Sequence, residues 1–144
     1  MKKKGNWFRW IWPGVLVLLV DRLVKWIHLT LSKDQTVRNT GMAFGMFQGN
    51  STVILIVSIL LLIACFFRLR KSRLSGLAPI ALSMIAGGAV GNMIDRMLYG
   101  YVIDMFPFFG WFVFNAADAG VVAGAVLCGW SLLFRPKDWS AKEK

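Results

Sequence analysis

Four long apolar stretches constrain the fold of this chain more than any other feature of its sequence. They run over about residues 10–29, 52–67, 77–99 and 112–134, and the second contains no charged residue. A helix needs about 20 apolar residues to cross the hydrocarbon core of a bilayer. The second stretch is slightly shorter, but uncharged residues extend it upstream. The pattern therefore predicts an all-α integral membrane protein with four transmembrane helices, forming a single membrane-embedded domain over residues 1–144.

The basic residues lie mostly outside these stretches and indicate an orientation. Lys and Arg number 17, Asp and Glu only 7, and the net charge is +10. Because Lys and Arg are enriched in cytoplasmic loops, both termini are predicted to be cytoplasmic, with the loops at about 30–51 and 100–111 outside. The charge thus indicates topology, and we expect no binding to nucleic acid. Three groups of four basic residues carry this prediction: Lys2, Lys3, Lys4 and Arg9; Arg68, Arg70, Lys71 and Arg73; Arg135, Lys137, Lys142 and Lys144.

The first apolar stretch is predicted to be a retained helix rather than a cleaved signal peptide. It contains Asp21 and Arg22, and no small-x-small site ends it.

Two further patterns refine the fold. Gly87 and Gly91 in the third stretch, and Gly120 and Gly124 in the fourth, are four residues apart, a spacing that lets helix backbones approach closely. We interpret them as the contact between the third and fourth helices. The outer segment over residues 35–47 combines β-forming residues with glycines, which predicts short strands or an irregular platform.

The polar residues of the spans converge near the outer face of the membrane. Residues three or four apart share one side of a helix, so each polar set faces one direction. The residues concerned are Asp21 and Lys25 in the first helix, Asn39 in the outer loop, Asn92, Asp95 and Arg96 late in the third helix, Asp104 in the following loop, and Asn115 and Asp118 early in the fourth helix.

Most of these residues also have a purely structural interpretation. Asp95 beside Arg96 is compatible with an interfacial ion pair, and Asp21 with Lys25 is compatible with a stabilising pair within one helix. The asparagines in the third and fourth helices are compatible with interhelical hydrogen bonds. Asp118 is different, since it has no basic neighbour in an apolar helix, and such a carboxylate indicates function.

Asp104 and Asp118 together suggest one chemistry. The loop that joins their helices is short, so both can reach the same outer pocket. Two neighbouring carboxyls ionise one after the other, and such a pair can supply a base for water and an acid for a carbonyl, as in aspartic proteases. His28 is the only histidine, so a histidine-based metal site or catalytic triad has no support.

Several motifs in order along the chain resemble the lipoprotein signal peptidase family, the type II signal peptidases. They are DRLVK at 21–25, NTGMAFG at 39–45, GGAVGNMIDR at 87–96, GYVID at 100–104 and FNAAD at 114–118. The resemblance implies an aspartyl endopeptidase of the bacterial cytoplasmic membrane, with its active site toward the extracytoplasmic face. Such enzymes remove signal peptides from prolipoproteins by cutting before a diacylglyceryl-modified cysteine.

The resemblance also implies residue roles and partners. It implies a small extracytoplasmic β-platform at residues 35–47, a short outer helix near the loop between the third and fourth spans, and no metal or organic cofactor. We expect a monomer that contacts membrane lipid and the signal-peptide helix of its substrate. The implied catalytic residues are Asp104 and Asp118, those that bind substrate or frame the site are Asn39, Gly41, Asn92, Arg96 and Asn115, and those that support it are Asp21, Lys25 and Asp95.

Two other function classes fit a small polytopic protein. A proton-coupled carrier or channel, with Asp95 and Asp118 as relay residues, predicts polar groups along a full transmembrane path, whereas the cytoplasmic halves of these spans are nearly free of them. A structural assembly factor packed through its glycines predicts that Asp118→Asn is tolerated.

Overall fold

The computed structural model describes residues 8–32, 35–41, 49–71 and 74–139. Within these ranges the fold is mostly helical, and its four α-helices follow the four apolar stretches. The helices are α1 Phe8–Leu31, α2 Ser51–Lys71, α3 Ala78–Tyr99 and α4 Ala116–Phe134. The fourth begins four residues later than the apolar stretch, because residues 112–114 form a strand and Asn115 caps the helix.

The surface of the helices is apolar and much of the interior is polar. Leu16 and Leu19 of α1, and Val122 and Val126 of α4, are each more than half exposed, whereas Asp95 is fully buried. Among the described residues, α3 and α4 are long and apolar enough to cross a membrane, and the apolar part of α2 is shorter. This distribution suits helices that face lipid, and the four-span topology stays a prediction.

Four short strands lie at the end of the helices where α3 finishes and α4 begins. Strand β1 Val37–Asn39 pairs antiparallel with β2 Val102–Asp104, and β3 Phe106–Phe108 pairs antiparallel with β4 Phe112–Phe114. The predicted strand character of residues 35–47 is confirmed for β1, and residues 42–48 lie outside the described part. The strands therefore connect the segment after α1 to the segment between α3 and α4.

The predicted short outer helix is wrong for residues 100–115, where the chain forms β2 and the β3–β4 hairpin. Pro107 has no N–H to donate to a helix and disfavours helical geometry at the residue before it. The surrounding phenylalanines favour strands. Phe109 and Gly110 then form the turn with positive φ values of 47° and 76°, which is the backbone geometry of tight hairpin turns.

Helix α3 is the centre of the bundle and packs against α1, α4 and α2. The predicted glycine contact between α3 and α4 is only partly correct. A Cβ at Gly124 would lie 2.8 Å from the carbonyl oxygen of Ala81, so this glycine does face α3. Gly87, however, lies against the backbone of Gly14 in α1.

Gly120 also faces α1, where an added Cβ would meet the side chain of Val17. The reason is geometric, because a helix inside a bundle presents different faces to different neighbours. A spacing of four residues identifies one face of a helix but does not say which partner that face contacts.

The opposite end of the bundle is closed by a 3₁₀ turn at Pro136–Asp138 after α4. Asp138 is buried there, and its Oδ2 accepts a hydrogen bond from the backbone N–H of Leu77 at 3.0 Å. This carboxylate therefore holds the start of α3. It lies at the end of the bundle opposite to the four strands and to Asp104.

Candidate active site

Asp104 and Asp118 are brought together by the segment that links α3 to α4. Asp104 is the last residue of β2, and Asp118 lies in the first turn of α4. Strand β1 pairs with β2, and Asn39 at its end donates from Nδ2 to Oδ2 of Asp104 at 2.8 Å. The two carboxyls therefore lie on rigid elements rather than on free loops.

A capping box fixes the side chain of Asp118. The side-chain Oδ1 of Asn115, the N-cap residue, accepts from the backbone N–H of Asp118 at 2.9 Å. In return, Oδ2 of Asp118 accepts from the backbone N–H of Asn115 at 3.3 Å. This reciprocal arrangement satisfies two donors at the helix start. Because Oδ2 is used in this way, Oδ1 of Asp118 is left to accept a hydrogen bond from another element.

Two asparagine amides connect the two carboxyls. Asn115 Nδ2 donates to Oδ1 of Asp104 at 2.7 Å and to Oδ1 of Asn92 at 3.1 Å. Asn92 Nδ2 donates to Oδ1 of Asp118 at 2.7 Å. Asp104 and Asp118 are thus members of one hydrogen-bonded network.

Lys25 determines which way the amide of Asn92 points. Its Nζ lies 3.4 Å from Oδ1 of Asn92, and an ammonium group can only donate. The oxygen of the amide must therefore face Lys25, and the NH₂ group faces Asp118. Lys25, which the sequence predicts to support the site, thus orients Asn92, which contacts Asp118 directly.

A cluster of four charged residues adjoins this network through Lys25. Lys25 Nζ lies 3.0 Å from Asp21 Oδ1 and 2.6 Å from Asp95 Oδ2, and Arg22 Nη2 lies 2.6 Å from Asp21 and 2.7 Å from Asp95. The alternative interpretation of Asp95 and Arg96 as an ion pair is wrong, because Asp95 pairs with α1 instead. Neighbouring residues in a helix point in different directions, which separates the two side chains.

Arg22 is the site residue that the sequence reasoning missed. It also donates from Nη2 to the carbonyl oxygen of Gly91 in α3 at 3.0 Å. Its position next to Asp21 was visible, but its partner Asp95 is 73 residues away. The available signal was the number of charges in two apolar helices, since the two bases of α1, Arg22 and Lys25, can neutralise two acids, Asp21 in α1 and Asp95 in α3.

The ion cluster also holds both segments that carry the carboxyl pair. Asp95 Oδ2 accepts from the backbone N–H of Ile103 in β2 at 3.1 Å, next to Asp104. Asp21 Oδ1 accepts from the backbone N–H of Ala117 in α4 at 3.0 Å, next to Asp118. Asp21 and Asp95 are both fully buried. The cluster therefore fixes β2 and the start of α4 relative to α1 and α3.

Arg96 contacts the segment that follows β1 instead of an acid. Its Nη2 donates to the carbonyl oxygen of Gly41 at 2.7 Å, and the N–H of Gly41 donates to Oδ1 of Asn39 at 2.8 Å. Within the described ranges, Arg96 Nε is buried and has no hydrogen-bond partner. A buried donor of this kind is costly unless another molecule satisfies it.

Asp104 is almost completely buried, with 1% of its surface exposed. This burial raises the pKa of Asp104 to about 6, and the charge of Asp118 acts in the same direction. The hydrogen bonds from Asn39 and Asn115 favour the ionised form and oppose the rise. Asp104 can therefore change its protonation state near neutral pH.

A cavity of about 210 Å³ opens beside Asp118 between α2, α3 and α4. One end is polar and the rest of the wall is apolar, so the cavity suits a mainly apolar chain with a polar group at one end. The polar end is formed by Asn39, Gly41, Asn92, Arg96 and Asp118. The remaining wall is mostly aliphatic and includes Ile54, Leu61, Leu62, Ile85, Ala89 and Val121.

No cluster of three or more His, Cys, Asp or Glu side chains that could hold a metal ion occurs in the part of the chain that the structure describes. The two cysteines, Cys65 and Cys128, are free thiols. The expectation that no metal or cofactor is needed stays a prediction.

Comparison with solved structures assigns the class of this fold. A bacterial membrane enzyme solved by the in meso method aligns over 100% of this chain and 99% of its own, with a TM-score of 0.82 and 30% sequence identity. A second bacterial membrane enzyme solved in the same way covers 94% of this chain, with a TM-score of 0.80 and 29% identity. This chain thus shares its overall fold with solved bacterial membrane enzymes.

Sequence comparison then identifies the family. The family model described as signal peptidase (SPase) II matches residues 14–134. Two similar curated relatives are the lipoprotein signal peptidases of Fusobacterium nucleatum, 37% identical with 85% of each chain covered, and of Halothermothrix orenii, 34% identical with 78% of this chain and 87% of the relative covered. The chain belongs to the signal peptidase II family, a family of peptidases, as its sequence motifs predict.

Proposed function

We propose that this protein is an aspartyl endopeptidase that removes signal peptides from prolipoproteins, cutting before a diacylglyceryl-modified cysteine. The observation that carries the proposal is the network that joins Asp104 to Asp118 through Asn115 and Asn92 at the polar end of an apolar cavity. Family membership supports the peptidase activity, and the names of the relatives support a prolipoprotein substrate.

The proposed topology has four transmembrane helices in the bacterial cytoplasmic membrane, with both termini cytoplasmic. The apolar outer surfaces of the helices and the distribution of basic residues support it. The end of the bundle that carries the four strands, Asp104 and Asp118 then faces the extracytoplasmic side. The protein works as a monomer within the bilayer and uses neither a metal nor an organic cofactor.

The proposed reaction uses the two carboxyls as a base and an acid. Two carboxyls in one buried network lose their protons in succession, so over a pH range one is ionised and the other is protonated. The ionised aspartate takes a proton from a water molecule, whose oxygen attacks the scissile carbonyl carbon. The protonated aspartate donates a hydrogen bond to the carbonyl oxygen as charge develops on it. As the tetrahedral intermediate collapses, its C–N bond breaks, and the aspartate that took the proton from water gives that proton to the leaving amine.

The asparagines keep the two carboxyls in position and limit their rotation. Each oxygen of Asp104 accepts one amide hydrogen bond, from Asn39 and Asn115, so its carboxyl plane is fixed before substrate binds. Asn92 fixes Asp118 in the same way. Groups that are already positioned before reaction need no reorganisation in the transition state.

Arg96 and Gly41 are proposed to bind the extended substrate segment. The buried Nε of Arg96 still lacks a hydrogen-bond partner among the described groups, and the residue lines the cavity. A backbone carbonyl of the substrate would satisfy this donor. Because Nη2 of Arg96 already holds Gly41, the same side chain links the substrate to the segment after β1.

The apolar wall of the cavity is proposed to receive the hydrophobic part of the substrate, and the acyl chains are proposed to stay in the outer leaflet. Each buried CH₂ group contributes about 0.8 kcal/mol to membrane anchoring. Substrate without lipid would lose this anchoring and bind poorly at the membrane-embedded site.

The experiment compares a lipid-modified prolipoprotein with the same chain carrying serine in place of the lipidated cysteine. We expect cleavage of the modified substrate, with mass spectrometry showing the lipidated cysteine at the new N-terminus, and at least about tenfold slower cleavage of the unmodified chain. Activity should persist after exhaustive chelation. Equal rates for both substrates would contradict the lipid specificity, and absence of cleavage would contradict the peptidase function.

A further inference from the structure

The β3–β4 hairpin presents an unusual amount of exposed aromatic surface. Phe109 and Trp111 at its tip are 87% and 85% exposed, and Phe106 and Phe108 on β3 are also exposed. No charged residue lies between Asp104 and Asp118. Exposed aromatic surface of this kind on a folded protein marks a contact with a partner or a membrane.

The phenylalanines of the hairpin form one continuous face. Side chains alternate along a strand, so Phe106 and Phe108 point to one side. They pair across the hairpin with Phe114 and Phe112, with ring centroids 5.5 Å and 5.0 Å apart. Ring contacts of this type stabilise a hairpin and hold its shape. The result is a rigid aromatic ladder that ends in the exposed tip.

The position of the hairpin indicates lipid as the partner. It connects α3 to α4, both of which are long and apolar enough to span a bilayer, so it lies at a membrane face. The last turn of α3, at the same end of the bundle, is also exposed and apolar, with Met97 and Leu98 about two-thirds exposed. The aromatic surface and the exposed apolar turn of α3 thus lie at the same end of the bundle, as expected where aromatic residues favour the membrane interface.

We propose that the tip residues Phe109 and Trp111 insert into the outer leaflet and thereby fix the depth of the carboxyl pair. The hairpin begins two residues after Asp104 and ends immediately before Asn115. A tip held in lipid therefore holds both ends of the catalytic segment at one level. The depth matters because the proposed scissile bond adjoins a cysteine whose acyl chains lie in the same leaflet, so this role rests on the proposed function.

A first experiment measures lipid contact without any reference to activity. The protein is reconstituted into phosphatidylcholine–phosphatidylglycerol vesicles whose acyl chains are brominated at shallow or deep positions. The emission of Trp111 is obtained as the difference between the parent and Trp111→Phe. We expect quenching of this component by the shallow bromines and protection from aqueous iodide. Quenching by iodide, without quenching by bromolipid, would overturn the proposal even for an active peptidase.

A second experiment measures the depth role. The double variant Phe109→Ser with Trp111→Ser is compared with Phe109→Leu with Trp111→Phe, which keeps the tip apolar. In vesicles we expect kcat/KM of the serine variant to fall about tenfold, equivalent to about 1.4 kcal/mol, with little change for the apolar variant. In detergent micelles both variants should match the parent, which also shows that they fold.

Equal loss in micelles and vesicles would mean that the tip contacts the substrate protein instead of the bilayer, and would overturn the proposal. Unchanged kcat/KM of the serine variant in vesicles would overturn the depth role. A parent protein that cleaves no prolipoprotein refutes the proposed function, and the quenching experiment still decides whether the tip contacts lipid.

Discussion

Replacing Asp104 by asparagine should stabilise the protein at alkaline pH while it abolishes catalysis. Burial raises the pKa of Asp104 from 3.8 to about 6. A carboxyl with a raised folded-state pKa contributes stability that is present below about pH 4 and is lost as the pH rises through 6. The difference corresponds to on the order of 3 kcal/mol at about pH 8. Asparagine removes this cost because it carries no charge.

The same substitution also removes one hydrogen bond. Asp104 accepts amide hydrogen bonds at both oxygens, from Asn39 and Asn115, and asparagine offers only one oxygen. The lost bond costs about 1 kcal/mol at any pH. The net expectation is a gain of about 2 kcal/mol at about pH 8 and a loss of about 1 kcal/mol at about pH 4. The effect of the substitution therefore changes sign with pH.

The assay is thermal unfolding in detergent, followed by circular dichroism at a fixed scan rate. A gain of about 2 kcal/mol should raise Tm by about 4–8 °C at alkaline pH, with a smaller decrease at acid pH. Asp138→Asn is the matched control, since that carboxylate is also buried but caps α3 at the other end of the bundle. A lower Tm for Asp104→Asn at both pH values would refute the reasoning.

Two further predictions concern the ion cluster and the helix contacts. Lys25→Met should destabilise the protein by about 3–5 kcal/mol, since it leaves the charge of Arg22 to neutralise two buried carboxylates. Arg22→Met should cost less, because the Arg22 side chain is 29% exposed, whereas that of Lys25 is 3% exposed. Equal losses of Tm would contradict this order. Gly124→Ala should cost about 1–3 kcal/mol, because a Cβ there would meet the backbone of Ala81, whereas Gly129→Ala, with nothing within 4 Å, should be neutral or stabilising. Similar Tm values for the two alanine variants would contradict the packing.

The helices could be predicted from the sequence because apolar length is a local property. The strand pairs could not, since β1 and β2 lie about 65 residues apart and each has only three residues. The hairpin signal was present in Pro107 and in the turn glycine, Gly110, but the resemblance to a family favoured a helix nearby. Local chemistry would have been the better guide at this loop.

The candidate carboxyl pair could also be predicted, since Asp118 is an isolated acid in an apolar helix and only a short loop separates Asp104 from that helix. The partners of the surrounding charges could not. Asp95 is adjacent to Arg96 in the sequence but contacts Arg22 and Lys25 in α1, because the helix turns neighbouring side chains apart. Charge pairing across helices depends on their relative rotation, which no local pattern determines.

The most direct test of the central claim is the cleavage rate of Asp104→Asn and Asp118→Asn, measured separately on a lipid-modified prolipoprotein in detergent. Because each carboxyl has its own part in the reaction, we expect each variant to lose at least about a hundredfold in kcat, the low end of acid–base contributions. Asp138→Asn should cleave at the parent rate. Near-parent cleavage by either Asp104→Asn or Asp118→Asn would contradict the account.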